Sequence, residues 1–240
     1  MKAIAIIPAR LESTRLRRKV LRELAGKPML AHVCEAVRKA SGLAEVLVAT
    51  DSEEVAALAH ERGWSVRMTS SAHRSGTERV HEVAASMAAD VYVNVQGDEP
   101  LARPEHIAAL LALFADAAVQ VATLKTPCSP ADVANPNAVK VVTDLAGRAL
   151  YFSRAAIPHD RDASGAARYF KHLGFYAYRK AALDRFAALP ESSLERAERL
   201  EQLRFLENGI AIHVAETPYD TIGGDTEEDL RRVEALLRRK

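Results

Sequence analysis

Ala3-Ile4-Ala5-Ile6-Ile7-Pro8 runs directly into Ala9-Arg10-Leu11-Glu12-Ser13-Thr14-Arg15-Leu16-Arg17-Arg18-Lys19, a short apolar stretch set against a densely charged one. Odd and even positions of Ala3–Ile7 are alike apolar, so the strand they predict is buried on both faces, and Pro8 bounds it. Working outward, Leu30, Val33 and Val37 fall at helical spacing in Met29–Lys39, which ends on basic residues as a helix C-terminus prefers. Glu45–Thr50 reads as a second strand and Glu53–Arg62 as a helix stopped by Gly63. Glu78–Ala89 reads as a helix, Val91–Val95 as a third strand, Pro104–Phe114 as a helix and Val119–Leu124 as a strand. This β-α-β-α order predicts an α/β fold, a doubly wound, Rossmann-like parallel sheet with helices on both faces.

The second half changes character. Val139–Thr143 and Ala149–Ser153 predict a hairpin around Ala146-Gly147, Leu173–Tyr178 a strand, and Leu194–Asn208 a helix closed by Gly209. Asp229–Arg239 predicts the last helix, and the polar segment His159–Ala167 is the candidate mobile loop. The expected organisation is one domain over 1–240, with a smaller β-containing lobe within about 139–178.

Composition narrows the function classes. The 240 residues are 48% apolar by count, enough to close a sizeable core. Lys and Arg number 33 against 32 Asp and Glu, a formal charge of +1 that argues against a general nucleic-acid binder. Cys34 and Cys128 make no disulfide framework, and a cytoplasmic enzyme is the expectation. The longest uncharged apolar run, Ile107–Ala115, falls far short of the roughly 20 residues a membrane-spanning helix needs. The opening run is too short for a secretory core and no small-residue cleavage site follows it. The even balance hides a local excess: residues 1–40 hold ten Lys/Arg and three Glu.

Ligands of open parallel sheets sit beyond the C-terminal ends of the strands. Three loops leave such ends. In Pro8–Lys19 six residues are charged and five of those are positive, the make-up of a polyphosphate cradle or, alternatively, of a solvated basic loop. It is neither a Walker A motif nor G-x-G-x-x-G. Gln96-Gly97-Asp98-Glu99-Pro100 reads as a plain turn or as a carboxylate suited to Mg²⁺. In Ile222-Gly223-Gly224-Asp225-Thr226, Asp225 is either a helix N-cap or a second carboxylate for the same metal.

A set of segments carries a family resemblance over nearly the whole chain. They are Ile7-Pro-Ala-Arg10, Ser13-Thr-Arg15-Leu, Ala25-Gly-Lys-Pro-Met-Leu30, Val48-Ala-Thr-Asp51, Ser75-Gly-Thr-Glu-Arg79 and Asn94-Val-Gln-Gly-Asp-Glu-Pro100. Val139-Lys-Val-Val142, Leu150-Tyr-Phe-Ser-Arg154, Lys171-His-Leu-Gly-Phe-Tyr-Ala-Tyr-Arg179 and Leu200-Glu-Gln-Leu-Arg204 complete the series. Taken in order, they resemble the CMP-Kdo synthetases, the 3-deoxy-manno-octulosonate cytidylyltransferases, and especially their capsule-type branch.

The resemblance implies a nucleotidyltransferase core whose lobe binds a sugar and helps form a homodimer. It implies Mg²⁺-dependent transfer of CMP from CTP to Kdo (3-deoxy-D-manno-octulosonate), with release of pyrophosphate, for lipopolysaccharide or capsule synthesis. No nucleic acid or membrane is among the expected partners. By resemblance, Asp98 and Asp225 hold the metal, and Arg10, Arg15 and Lys19 hold the CTP phosphates. Pro8, Ala9, Ser13 and the Ser75-Gly76-Thr77 turn complete the nucleotide site. Arg154, His172, Tyr176, Glu201 and Gln202 bind the acidic sugar, with Gln96 near both substrates. Arg10, Lys19, Asp98 and Asp225 form the catalytic set, and no residue is assigned as a general base.

Taken by their types alone, several of these positions have plainer readings. His172 and Tyr176, four apart in a strand, share a face and read as an ordinary polar sheet face. Glu201 and Gln202 read as solvated helix surface, Arg154 as a salt-bridge partner, and Glu78 with Arg79 as a structural ion pair outside the site. The chain departs from the family at Arg17-Arg18-Lys19-Val20, where Pro-Gly-Lys-Pro is usual, so Lys19 lacks its rigid neighbours and a more mobile loop is expected. It departs again at Glu227, where Pro is usual. Sialic-acid-type synthetases share the Ile-Pro-Ala-Arg and Gly-Lys-Pro segments, but Ser75–Arg79 and Lys171–Arg179 resemble the Kdo family.

Overall fold

The computed structural model describes residues 1–11, 16, 18–224 and 226–238. The first half runs β1 (Ala3–Pro8), β2 (Glu23–Leu24), β3 (Lys27–Pro28), α1 (Met29–Arg38), β4 (Leu43–Thr50), α2 (Glu53–Glu61), β5 (Ser65–Met68), α3 (Gly76–Ser86), β6 (Val91–Val95) and α4 (Pro104–Leu113). It continues with β7 (Val121–Pro127), α5 (Pro130–Ala134), β8 (Lys140–Thr143), β9 (Ala149–Ser153), β10 (Phe170–Tyr178), α6 (Lys180–Ala188), α7 (Ser193–Glu198), α8 (Gln202–Glu207), β11 (Ile212–Glu216) and α9 (Glu227–Leu237). Among the described residues no helix is long and apolar enough to cross a membrane.

The chain packs as two compact units, Met1–Ala108 with Thr221–Lys240, and Ala109–Asp220. The second is wider than the 139–178 lobe expected from sequence. The β8–β9 hairpin cannot bury a face alone, and it takes its partners from β10 and the strands that β10 pairs with.

In the first unit all pairings of the main sheet are parallel. β1 pairs β4 on one side and β6 on the other, and β4 pairs β5. Every residue of β1 is buried, as its uninterrupted apolar run requires. The chain winds outward from β1 to β4 and β5, then returns to lay β6 on the opposite side of β1. The C-terminal ends of β1 and β6 therefore flank a topological switch point, the position where open α/β sheets bind ligands. Leu16, Leu24, Met29, Leu101, Leu230 and Val233 form one apolar cluster, which ties α9 to the start of α1. Thr226 caps α9 by accepting from the Asp229 N–H, and the Asp229 carboxylate accepts the Thr226 N–H in return.

The second unit is mixed. β7 lies between β11, parallel to it, and β10, antiparallel to it. The parallel pattern expected from the first half does not extend here, because β8, β9 and β10 are joined without crossover helices. The predicted 194–208 helix is broken. Arg199 takes left-handed backbone at φ 55°, which separates α7 from α8. Glu195, on α7, forms a two-point ion pair with Arg204, on α8, at 2.7 and 2.6 Å, and both side chains are under 10% exposed. The 159–167 segment is closed on itself by the Asp160 carboxylate, which accepts the N–H groups of Ser164 and Gly165.

Candidate functional site

The first unit holds the residues that the resemblance assigns to the nucleotide. The Gln96–Pro100 loop is laid onto the end of β1 by a hydrogen bond from Gly97 N–H to the Pro8 carbonyl at 3.0 Å. A Cβ at Gly97 would stand 3.0 Å from that same oxygen, so only glycine lets the two loops lie this close. Ala9 is held by its N–H to Ala49 O at 2.9 Å, and Arg10, the next residue, is exposed.

Lys19 Nζ reaches Asp98 Oδ2 at 2.6 Å. The lysine is 5% exposed, and the carboxylate is more open. Buried and ion-paired, Lys19 is anchored without the prolines usual in the family. Arg18, where the family has Gly, takes the left-handed conformation at φ 55° and pairs with Glu54. That backbone costs a non-glycine residue about 1 kcal/mol.

Gly224 N–H donates to the Asp98 carbonyl at 3.3 Å, which brings the 222–224 segment against the Asp98 loop. The N-cap of α9 is Thr226. Ser13, Arg15 and Asp225 lie outside the described residues. The Asp98 carboxylate, partly open at a strand end on the switch point, is a hard-oxygen donor of the kind Mg²⁺ takes. No group of three or more His, Cys, Asp or Glu poised for a metal occurs among the described residues.

Ser75 caps α3, its hydroxyl accepting from Glu78 N–H, so the Gly76 and Thr77 N–H groups stand at a helix N-terminus. A Cβ at Gly76 would lie 2.6 Å from Gln96 Nε2, so the carboxamide of Gln96 rests on this glycine. Its Nε2 donates to Asn94 Oδ1 at 3.2 Å. Sequence reasoning paired Arg79 with Glu78. The structure pairs it with Asp51 at 3.0 Å and with the Thr69 hydroxyl, which fixes the 69–79 segment that carries the turn.

The second unit holds Arg154, His172, Tyr176, Glu201 and Gln202, the residues that the resemblance assigns to the sugar. Arg154 is held by backbone carbonyls: Nε donates to Glu198 O at 2.7 Å, one terminal nitrogen to Pro136 O at 3.0 Å and the other to Arg199 O at 3.5 Å. Carbonyls orient the fork without cancelling its charge, and three of its five N–H donors are used. Lys140, fully buried, donates to the carbonyls of Asn135, Ala138 and Arg154. The Glu198 carboxylate accepts from Ser153 Oγ at 2.6 Å and Arg154 N–H at 2.9 Å. Sequence reasoning missed both supporting residues. The signal for Lys140 was a lone cation inside the apolar run Val139–Val142.

His172 and Tyr176 do share a face, with ring centroids 5.4 Å apart, and Phe152 meets His172 edge-on at 5.0 Å. Burial drives the His172 pKa down to about 3, so the imidazole is neutral. Burial also pushes the Tyr176 phenol well up, and nearby Tyr178 and Glu201 add to that. Tyr176, Tyr178, Phe205 and Phe186 stack in series, which fixes α8 and with it Gln202. Gln202 is 6% exposed, and its Nε2 finds no hydrogen-bond acceptor among the described residues.

A parallel sheet with charged loops at its switch point is the frame of a ligand-binding α/β protein, and comparison with known proteins gives its class. Residues 4–212 match the cytidylyltransferase family model. The 3-deoxy-manno-octulosonate cytidylyltransferase of Koribacter versatilis (strain Ellin345) is 68% identical, over 99% of this chain and 91% of the relative. That of Acidobacterium capsulatum is 62% identical, over 99% and 97%. A solved structure of CMP:2-keto-3-deoxy-manno-octonic acid synthetase complexed with CTP superposes with a TM-score of 0.95 at 45% identity, covering 100% of this chain and 99% of that one. The 4-diphosphocytidyl-2C-methyl-D-erythritol synthase of Anaerococcus prevotii shares the fold, with a TM-score of 0.67 at 16% identity over 99% of this chain and 98% of that one. The chain belongs to the cytidylyltransferase family and, within it, to the 3-deoxy-manno-octulosonate cytidylyltransferases.

Proposed function

We propose that this enzyme transfers CMP from CTP to Kdo, giving CMP-Kdo and pyrophosphate, with Mg²⁺. The observation that carries the reading is the buried Lys19 ammonium bonded to the Asp98 carboxylate at the C-terminal ends of β1 and β6. The anomeric hydroxyl of the sugar attacks the α-phosphorus of CTP, and pyrophosphate leaves from the opposite side. Holding the two reactants in line removes several kcal/mol of barrier.

On the nucleotide side, Arg10, Arg15 and Lys19 neutralise the triphosphate, and Pro8, Ala9, Ser13 and the Ser75–Thr77 turn hold the nucleotide. Asp98 and Asp225 would hold Mg²⁺, which when bound supplies charge neutralisation at the phosphates. On the sugar side, Arg154 has two N–H donors left for the carboxylate. Gln202 offers its unsatisfied amide and Glu201 an acceptor to the hydroxyls. His172 and Tyr176 present neutral polar edges on an aromatic floor, and Gln96 serves both substrates.

The β8–β9 hairpin presents the exposed Leu145 and Leu150, which supports its use as a homodimer face. The expected compartment is the cytoplasm, and the product is an activated sugar for lipopolysaccharide or capsule assembly. Pyrophosphate release from CTP and Mg²⁺ with a panel of acidic sugars tests the reading. Kdo is expected to be turned over fastest, and release with another acid in preference to Kdo contradicts it.

A further inference from the structure

β10 departs from its ladder where it crosses Thr123. Leu173 pairs with Leu124 and Tyr176 with Thr123, so Gly174 and Phe175 are looped out between paired residues. Two extra residues preserve the alternation, which is why His172 and Tyr176 stay on one face. The fully buried Thr123 hydroxyl fills the bulge. Its oxygen lies 2.8 Å from Phe175 O, 3.3 Å from Leu173 O and 2.9 Å from His172 Nε2.

A threonine hydroxyl has one proton and two lone pairs. Both carbonyls can only accept, and a bare hydroxyl lone pair 2.8 Å from a buried carbonyl oxygen would be repelled. The proton therefore goes to Phe175 O. That leaves only a lone pair for His172 Nε2, 2.9 Å away, so Nε2 must carry its hydrogen. In a neutral imidazole the other nitrogen is then an acceptor.

We propose that Thr123 is a positioning residue that locks His172 in the Nε2–H tautomer, leaving Nδ1 as an acceptor for a hydroxyl of the acidic sugar. The sugar half of this rests on the function proposed above, whereas the tautomer does not. It adds a selection rule: at His172 the site accepts a hydrogen bond and donates none, so a sugar position that offers only an acceptor there is refused.

The test is ¹⁵N NMR of the histidine ring nitrogens, with His172 assigned by its loss in His172→Asn, combined with steady-state kinetics. The protein as it stands should show His172 Nε2 protonated and Nδ1 bare at neutral pH. Thr123→Val, nearly the same shape without the hydroxyl, should lose that fixed assignment and raise the sugar KM about tenfold, as one lost hydrogen bond does, while the CTP KM holds within about twofold. Thr123→Ser should restore both readouts, which separates the hydroxyl from a packing effect. A native Nδ1–H tautomer overturns the proposal whatever the substrate. A tautomer lost in Thr123→Val with an unchanged sugar KM overturns the link to substrate and removes His172 from the sugar site.

Discussion

The residues proposed for the nucleotide, in the first unit, and those proposed for the sugar, in the second, are built by opposite means. In the first unit charges stand at the ends of parallel strands, held by backbone contacts between loops, Gly97 on Pro8 and Gly224 on Asp98, and by the Lys19–Asp98 ion pair. In the second, His172 is uncharged among aromatic rings and Arg154 is oriented by backbone carbonyls. A triphosphate needs net charge and a sugar needs fixed directions.

Replacing charge on the first side should have the largest effect. Asp98→Asn is expected to cut pyrophosphate release at least ~100-fold, with an unchanged circular dichroism spectrum, because it removes one charge from a half-open site. Near-native turnover would detach Asp98 from the chemistry and erase the contrast. The second side should fail through structure instead. Glu195→Gln leaves the Arg204 guanidinium buried beside a neutral amide and should cost about 3 kcal/mol in urea unfolding. A loss below about 1 kcal/mol would show that α7 and α8 are held by their apolar contacts alone.

The desolvated imidazole of His172 gives the second side a pH signature. His172 has a folded pKa of about 3 against an ordinary 6.5, so the unfolded chain takes up the proton first as pH falls. Stability from this group is complete above pH 6.5 and declines below it, by roughly 2 kcal/mol at pH 5. His172→Phe should flatten that part of the curve, and an unaltered pH profile in the variant would show that His172 is charged or exposed. A smaller effect is expected at Gly76→Ala. Its methyl would displace the Gln96 carboxamide and lower kcat/KM about tenfold with little change in melting temperature.

The two sides also differed in how far the sequence disclosed them. Charges of the first unit cluster locally after Ala3–Ile7 and Val91–Val95, so strand ends and loops could be read together. The partners that matter in the second unit are remote: Ser153 and Arg154 meet Glu198, 45 and 44 positions away, and Thr123 meets His172 across 49. Sugar-side residues were reached by family resemblance, not by residue pattern. Even in the first unit, adjacency misled. Glu78 and Arg79 are neighbours on α3 and point roughly 100° apart, so the guanidinium turns to Asp51 instead. The break at Arg199 was equally hidden, because a left-handed arginine has no compositional mark and Leu194–Asn208 keeps a helical pattern throughout.

Separate equilibrium titrations test the central division of labour most directly. CTP and Kdo are each titrated calorimetrically, with Mg²⁺ present, into the native enzyme, Lys19→Met and Gln202→Leu. The account predicts that Lys19→Met loses CTP affinity by at least about tenfold and keeps Kdo affinity, while Gln202→Leu does the reverse. Loss of both ligands in either folded variant, or the opposite pairing, would contradict it.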